Sequence, residues 1–86
     1  MLRVKFHRRA HKQFEKLPRQ IQRRIVASLE ALSPLNHPLE HQQVIKLAGN
    51  TRADFRLRVG DYRVKFTLLH AHDVLVTRVE HRQAGY

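Results

Sequence analysis

The stretch "RLRVGDYRVKF", residues 56–66, places Arg56, Arg58, Arg63 and Lys65 at alternate positions on either side of a Gly-Asp pair. Guanidinium forks bind phosphate oxygens through paired N–H donors and stay charged throughout. A cluster of them can therefore hold a phosphodiester and stabilise negative charge that grows on it during reaction. Arginine cannot accept a proton in exchange, so any proton transfer must come from another group. Metal-assisted chemistry has weak support: His70-x-His72 and the His37/His41 pair fall in apparent loops, with no cysteine and no converging carboxylate. No metal and no cofactor is expected. Serine-based hydrolysis is equally unsupported, since Ser28 and Ser33 both fall on the helical side of the chain.

The whole-chain charge agrees with a phosphate partner. Seventeen Lys and Arg against seven acids give a formal net charge of +10 over 86 residues. That balance favours polyanions and makes association fall steeply with salt. Nucleic acid or the ribosome is the leading partner class; an anionic membrane surface or a masking acidic protein is the other. No apolar run approaches the ~18 residues that a membrane-spanning helix needs. The N-terminus is charged from its third residue, without a signal-peptide core. A cytoplasmic protein with no membrane association, forming one domain over residues 1–86, is the expectation.

The elements that must position these cations follow from periodicity. Residues 2–6, "LRVKF", alternate as a strand. Ala10, Phe14 and Leu17 lie on one face of a helix that Pro18 closes, and Ile21, Ile25, Leu29 and Leu32 mark a second helix. Two helices so closely joined form an antiparallel hairpin. Residues 33–43 are a connection, "VIKLAGN" follows with a turn at Gly49-Asn50, and three strands run at about 53–59, 62–69 and 73–80. The fold class is α+β: strand, two-helix hairpin, then a three-stranded antiparallel meander, with the helices on one face of a four-stranded sheet.

Register decides which side chains share a face. Gly60-Asp61 suits a two-residue type II′ hairpin loop, which sets Val59 against Tyr62, Arg58 against Arg63, Leu57 against Val64, Arg56 against Lys65 and Phe55 against Phe66. Tyr62 then belongs to the core side. An even-numbered loop at "HAHD" sets Val64 against Val79, Phe66 against Thr77 and Leu68 against Leu75. On the other face Lys65 meets Arg78 and Arg63 meets Glu80, and Arg82 joins them if the extended chain continues. A three-residue loop would flip this last strand. Like charges directly opposed cost up to ~1 kcal/mol a pair, which apolar packing must offset or a bound polyanion cancel.

"KLAGNTRADFRLRVGDYRVKF", with "VEHRQAGY" at the C-terminus, resembles the RelE/ParE superfamily of bacterial type II toxins. Members often read K-L-x-G, a strand R-x-R, G-D-Y-R-V and a final H-R-x-x-x-Y, and the order of elements matches as well. The resemblance covers nearly all of the chain and implies a toxin neutralised by a cognate antitoxin, monomeric alone and hetero-oligomeric with that partner. In the RelE branch, the toxin enters the ribosomal A site and cuts mRNA by 2′-hydroxyl attack without metal. In the ParE branch it poisons DNA gyrase. Arg56, Arg58, Arg63, Arg82 and Tyr86 match the nuclease branch, so a ribosome-dependent endoribonuclease is expected; a gyrase inhibitor and a non-catalytic basic binding module are the alternatives.

Under that resemblance, Arg63 is expected to hold the scissile phosphate and Arg82 to assist the leaving oxygen. Tyr86 would stack on a base or orient the 2′-hydroxyl. Arg56, Arg58, Lys65, Arg78 and Lys46 would bind substrate. The best-known RelE pattern has lysines where this chain has Arg56 and Arg58, which moves the proton-transfer role to His81. A duller reading accompanies each: His81 as a strand-end hydrogen-bonding group, Tyr86 as a ring docked on the sheet, Lys46 as a solvated loop residue.

Overall fold

The computed structural model describes residues 1–47 and 54–83. Strand β1 (Arg3–Phe6) leads into α1 (Arg8–Glu15), whose first turn is capped by His7 Nδ1 accepting from the Arg9 N–H at 3.2 Å. Helix α2 (Arg19–Glu30) starts at Pro18, which provides no side-chain cap. The hairpin is stitched by Gln22, whose Nε2 donates to the carbonyls of Leu17 at 2.9 Å and Glu15 at 3.2 Å. These are carbonyls that the end of α1 leaves without helical donors. A 3₁₀ turn at Pro38–Glu40 precedes β2 (Val44–Lys46), β3 (Asp54–Val59), β4 (Tyr62–Leu69) and β5 (Asp73–His81).

Among the described residues the sheet has five strands, ordered β1-β5-β4-β3-β2, rather than the expected four. The added member is β2, a three-residue edge strand that pairs antiparallel with β3. It is too short to display a period of its own. β1 pairs with β5 in parallel, so the sheet is mixed. Where β1 stops, the Val79 N–H finds Gln13 Oε1 of α1 at 2.9 Å, which replaces a strand partner with a helix side chain.

The expected apolar stripes form one core. Ala10, Ile25, Leu29 and Leu32 from the helical side meet Phe55, Leu57, Val64, Phe66, Val74 and Val76, while Phe14, Leu17 and Ile21 pack at its margin. The class is α+β with both helices against the sheet, as expected.

Every β3–β4 pair matches the expected register, from Val59–Tyr62 out to Phe55–Phe66. Gly60 has φ +58°, and Asp61 is not among the residues of positive φ, which is the pattern of a II′ turn. Between β4 and β5 the expectation holds only in part. Val64–Val79, Lys65–Arg78 and Arg63–Glu80 pair as anticipated, but Phe66 faces Val76 rather than Thr77, and Leu68 faces Val74 rather than Leu75. The cause is a pair of cancelling slips. The loop is three residues long (His70, Ala71, His72, the first two at φ 52° and 65°), which inverts the start of β5. A bulge at Thr77 then inverts it back, with Thr77 Oγ1 donating to the Lys65 carbonyl at 3.3 Å. Val74, Val76 and Val79 thereby all reach the core. Tyr62 shares their side of the sheet but is only half-buried, so it is not the core residue expected.

Candidate nucleic-acid interface

The register turns alternating sequence into a cationic surface. Arg56 and Arg58 project from β3 and Arg63 from β4, all on the face away from the helices. Beyond β5 the chain continues far enough to add Arg82, whose N–H donates to the Asp61 carbonyl at 2.8 Å. The four arginines line one concavity of about 210 Å³ around the hairpin tip, with Gly60, Asp61 and Tyr62 completing its wall. Arg58 and Arg82 are exposed, whereas Arg56 and Arg63 are half-buried. Arg82 Nε stands 3.7 Å from Asp61 Oδ1, an exposed contact worth well under ~1 kcal/mol, so its guanidinium is readily redirected. Behind the tip, the Arg24 guanidinium of α2 lies directly over Gly60.

Further along the same face, Lys65 and Arg78 are directly opposed. Their repulsion is met by Glu80, whose Oε1 lies 2.9 Å from Lys65 Nζ and whose Oε2 lies 3.7 Å from Arg78 Nη1. The buried Oε1 makes no contact of hydrogen-bond geometry, although the ammonium is close. The pair is held by charge, because an ammonium is a compact cation whose donors rotate.

The remaining expected site residues stand apart from the concavity. His81 pairs with Tyr62 in register and so shares the parity of the helix-covered side; the two rings meet edge-on at 5.1 Å. Its Nδ1 accepts from the Gln83 N–H at 3.2 Å, the same local turn that His37 makes with Leu39 and His41 with Gln43. With Nδ1 accepting, the neutral ring carries its proton on Nε2, which is left as a donor. Lys46 is exposed at the edge, paired with Phe55 and on the opposite parity from Arg56. Tyr86 lies outside the described residues, as do Gly49 and Asn50.

Sequence reasoning treated Asp61 only as a turn residue and Tyr62 as core, and gave Glu80 no role. The signal for Glu80 was already in the register, which set it against Arg63. The contact of Arg24 with Gly60 joins elements far apart in sequence and leaves no local trace.

A family model described as the ParE toxin of type II toxin–antitoxin systems, parDE, matches residues 4–86. The chain belongs to this toxin family. The toxin fold is also similar to solved structures at full length. Against the RelB–RelE antitoxin–toxin complex of Methanococcus jannaschii, the TM-score is 0.78 at 24% identity, covering 100% of this chain and 95% of the other. The RelE–RelB complex of Pyrococcus horikoshii OT3 gives 0.77 at 30% identity, covering 94% of both chains. A RelBE toxin–antitoxin complex of Mycobacterium tuberculosis gives 0.75 at 26% identity, covering 94% of this chain and 98% of that one. No curated protein sequence matches. The RelE/ParE resemblance read from the motifs is thus borne out, and no helix among the described residues is long and apolar enough to cross a membrane.

Proposed function

We propose that this toxin is a ribosome-dependent mRNA endoribonuclease whose arginine concavity binds the scissile phosphate. The observation that carries the reading is the convergence of Arg56, Arg58, Arg63 and Arg82 around a hollow of phosphodiester size. Arg63, central in the wall, holds the phosphoryl oxygens as the neighbouring 2′-hydroxyl attacks in line. Arg56 and Arg58 fix the flanking backbone, and Arg82 meets the leaving 5′-oxygen. Losing one such donor typically raises the barrier by about 3–4 kcal/mol, so Arg63→Ala should slow cleavage by a factor of about 10²–10³.

Proton transfer is not supplied by the arginines, and in this reading His81 meets the reaction through its Nε2–H, as a donor to the leaving oxygen; to act as a base its ring would first have to release the Gln83 N–H. Among the described residues no base is aligned with the concavity, and in this reading the ribosome bends the message and completes the geometry. Tyr86 remains a proposed stacking partner for a base, and Lys46 a general contact to RNA. The partner that silences the toxin is a cognate antitoxin, as in the complexes of its structural relatives. The cytoplasm is where mRNA and ribosomes would be met.

Primer extension on mRNA from translating ribosomes exposed to the purified toxin should show cuts at A-site codons, lost in Arg63→Ala. Intact message alongside arrested growth would refute the nuclease. The ParE name of the matching family favours a second reading, inhibition of DNA gyrase. That reading predicts gyrase-trapped DNA breaks while translation continues, so the two assays separate the targets.

A further inference from the structure

Glu80 is the acid that the β5 bulge returns to the middle of the cationic face. It is paired with Arg63 in register, and it contacts both members of the opposed Lys65–Arg78 pair. Its side chain is 16% exposed, so the carboxylate is packed among these cations rather than waving above them. A nucleic-acid phosphate approaching Lys65 would find an anion already in place. Successive side chains on one face of β4 lie about 7 Å apart, close to the spacing of phosphates along an extended single strand. Without Glu80, Arg63 and Lys65 would offer two consecutive phosphate sites; with it, they offer one.

We infer that Glu80 is a specificity-determining residue whose carboxylate occupies the position of a second RNA phosphate, confining free single-stranded RNA to the single concavity of Arg56, Arg58, Arg63 and Arg82. The inference rests on the reading of this face as RNA-binding. The single negative charge of Glu80 offsets one of the two positive charges of the Lys65–Arg78 pair, so the face presents one phosphate site to free RNA. Lys65 and Arg78 then belong to substrate binding only where the ribosome presents RNA in a form that displaces Glu80.

The test uses the full-length toxin, a short fluorescent oligouridylate and anisotropy titrations over a range of NaCl. Each cation newly engaged on single-stranded nucleic acid steepens the slope of log affinity against log salt by about 0.7, worth about 5-fold in affinity near 0.1 M salt. Glu80→Gln should therefore steepen the slope by about 0.7–1.4 and tighten binding by about 5- to 25-fold. A Glu80→Gln protein with native circular dichroism and an unchanged slope overturns the inference. Arg63→Ala is the control: if it binds as tightly as the parent, the face does not bind RNA and the proposed function fails instead. Should Glu80→Gln not fold, carbodiimide cross-linking of the parent protein decides. The Lys65–Glu80 cross-link should persist at saturating oligouridylate, and its loss would show that free RNA takes Lys65 unaided.

Discussion

Replacing Gly60 with alanine tests the turn on which the arginine face depends, and its effect separates into two terms. A Cβ at φ +58° meets the neighbouring carbonyl, at a cost of about 1–2 kcal/mol. The same Cβ would stand 2.9 Å from Arg24 Nη2, 3.2 Å from Nη1 and 3.3 Å from Cζ. Those atoms end a long, flexible and exposed side chain, which swings aside at little cost, so the backbone term dominates. In a chain of this length each kcal/mol moves the melting temperature by about 4–8 °C, and Gly60→Ala should lower it by about 4–16 °C. Removing the contact alone supplies the internal check. Arg24→Ala combined with Gly60→Ala should lose nearly as much, relative to Arg24→Ala, as Gly60→Ala loses relative to the parent. Melting curves followed by circular dichroism read all four proteins. A Gly60→Ala protein melting within about 2 °C of the parent would refute the turn assignment. Full rescue by Arg24→Ala would show that the clash, not the backbone, sets the penalty.

Gln13→Ala strands the partly buried Val79 N–H and should destabilise by about 1–3 kcal/mol in urea unfolding, a large effect for a surface-helix residue. Ala71→Gly relieves a left-handed residue in the β4–β5 loop and should stabilise by about 0.5–1 kcal/mol, seen as a higher melting temperature. Arg63→Ala should keep its fold, with less than about 1 kcal/mol change in stability, while losing ribosome-dependent cleavage; a molten protein would show that the residue is structural. His81→Gln should slow cleavage by about 10²-fold or more if Nε2 carries a proton, and leave the rate unchanged if the ring only anchors the strand end.

The hairpin was legible because two independent signals agree: Gly60-Asp61 names the turn, and strict alternation on both sides names the faces. That agreement carried Arg56, Arg58 and Arg63 to one surface. The last strand was less legible because "VLVTRV" is apolar at 74, 75, 76 and 79, a pattern that fits either parity until the bulge is known. A bulge is selected by three-dimensional packing, here the need to bury Val76 and Val79 together, and it leaves no separate mark in the residues. The same blindness affects β2, where three edge residues are stabilised by β3 rather than by their own pattern, and the parallel β1–β5 pairing, which no local signal encodes. Within the site, convergence of arginines was readable. The parity of His81 followed from the Val64–Val79 register once the strand was continued, while its hydrogen bond to Gln83 and its ring contact with Tyr62 needed coordinates.

The parallel pairing of β1 with β5 has a temporal corollary. Arg3 is matched with Asp73, so β1 has no strand partner until the chain has been made through β5. Translation alone thus delays assembly of the Arg82 wall, which hangs from the end of β5. A chain that has only reached β4 carries the helices and the Arg58–Arg63 hairpin but not the Arg82 side of the concavity.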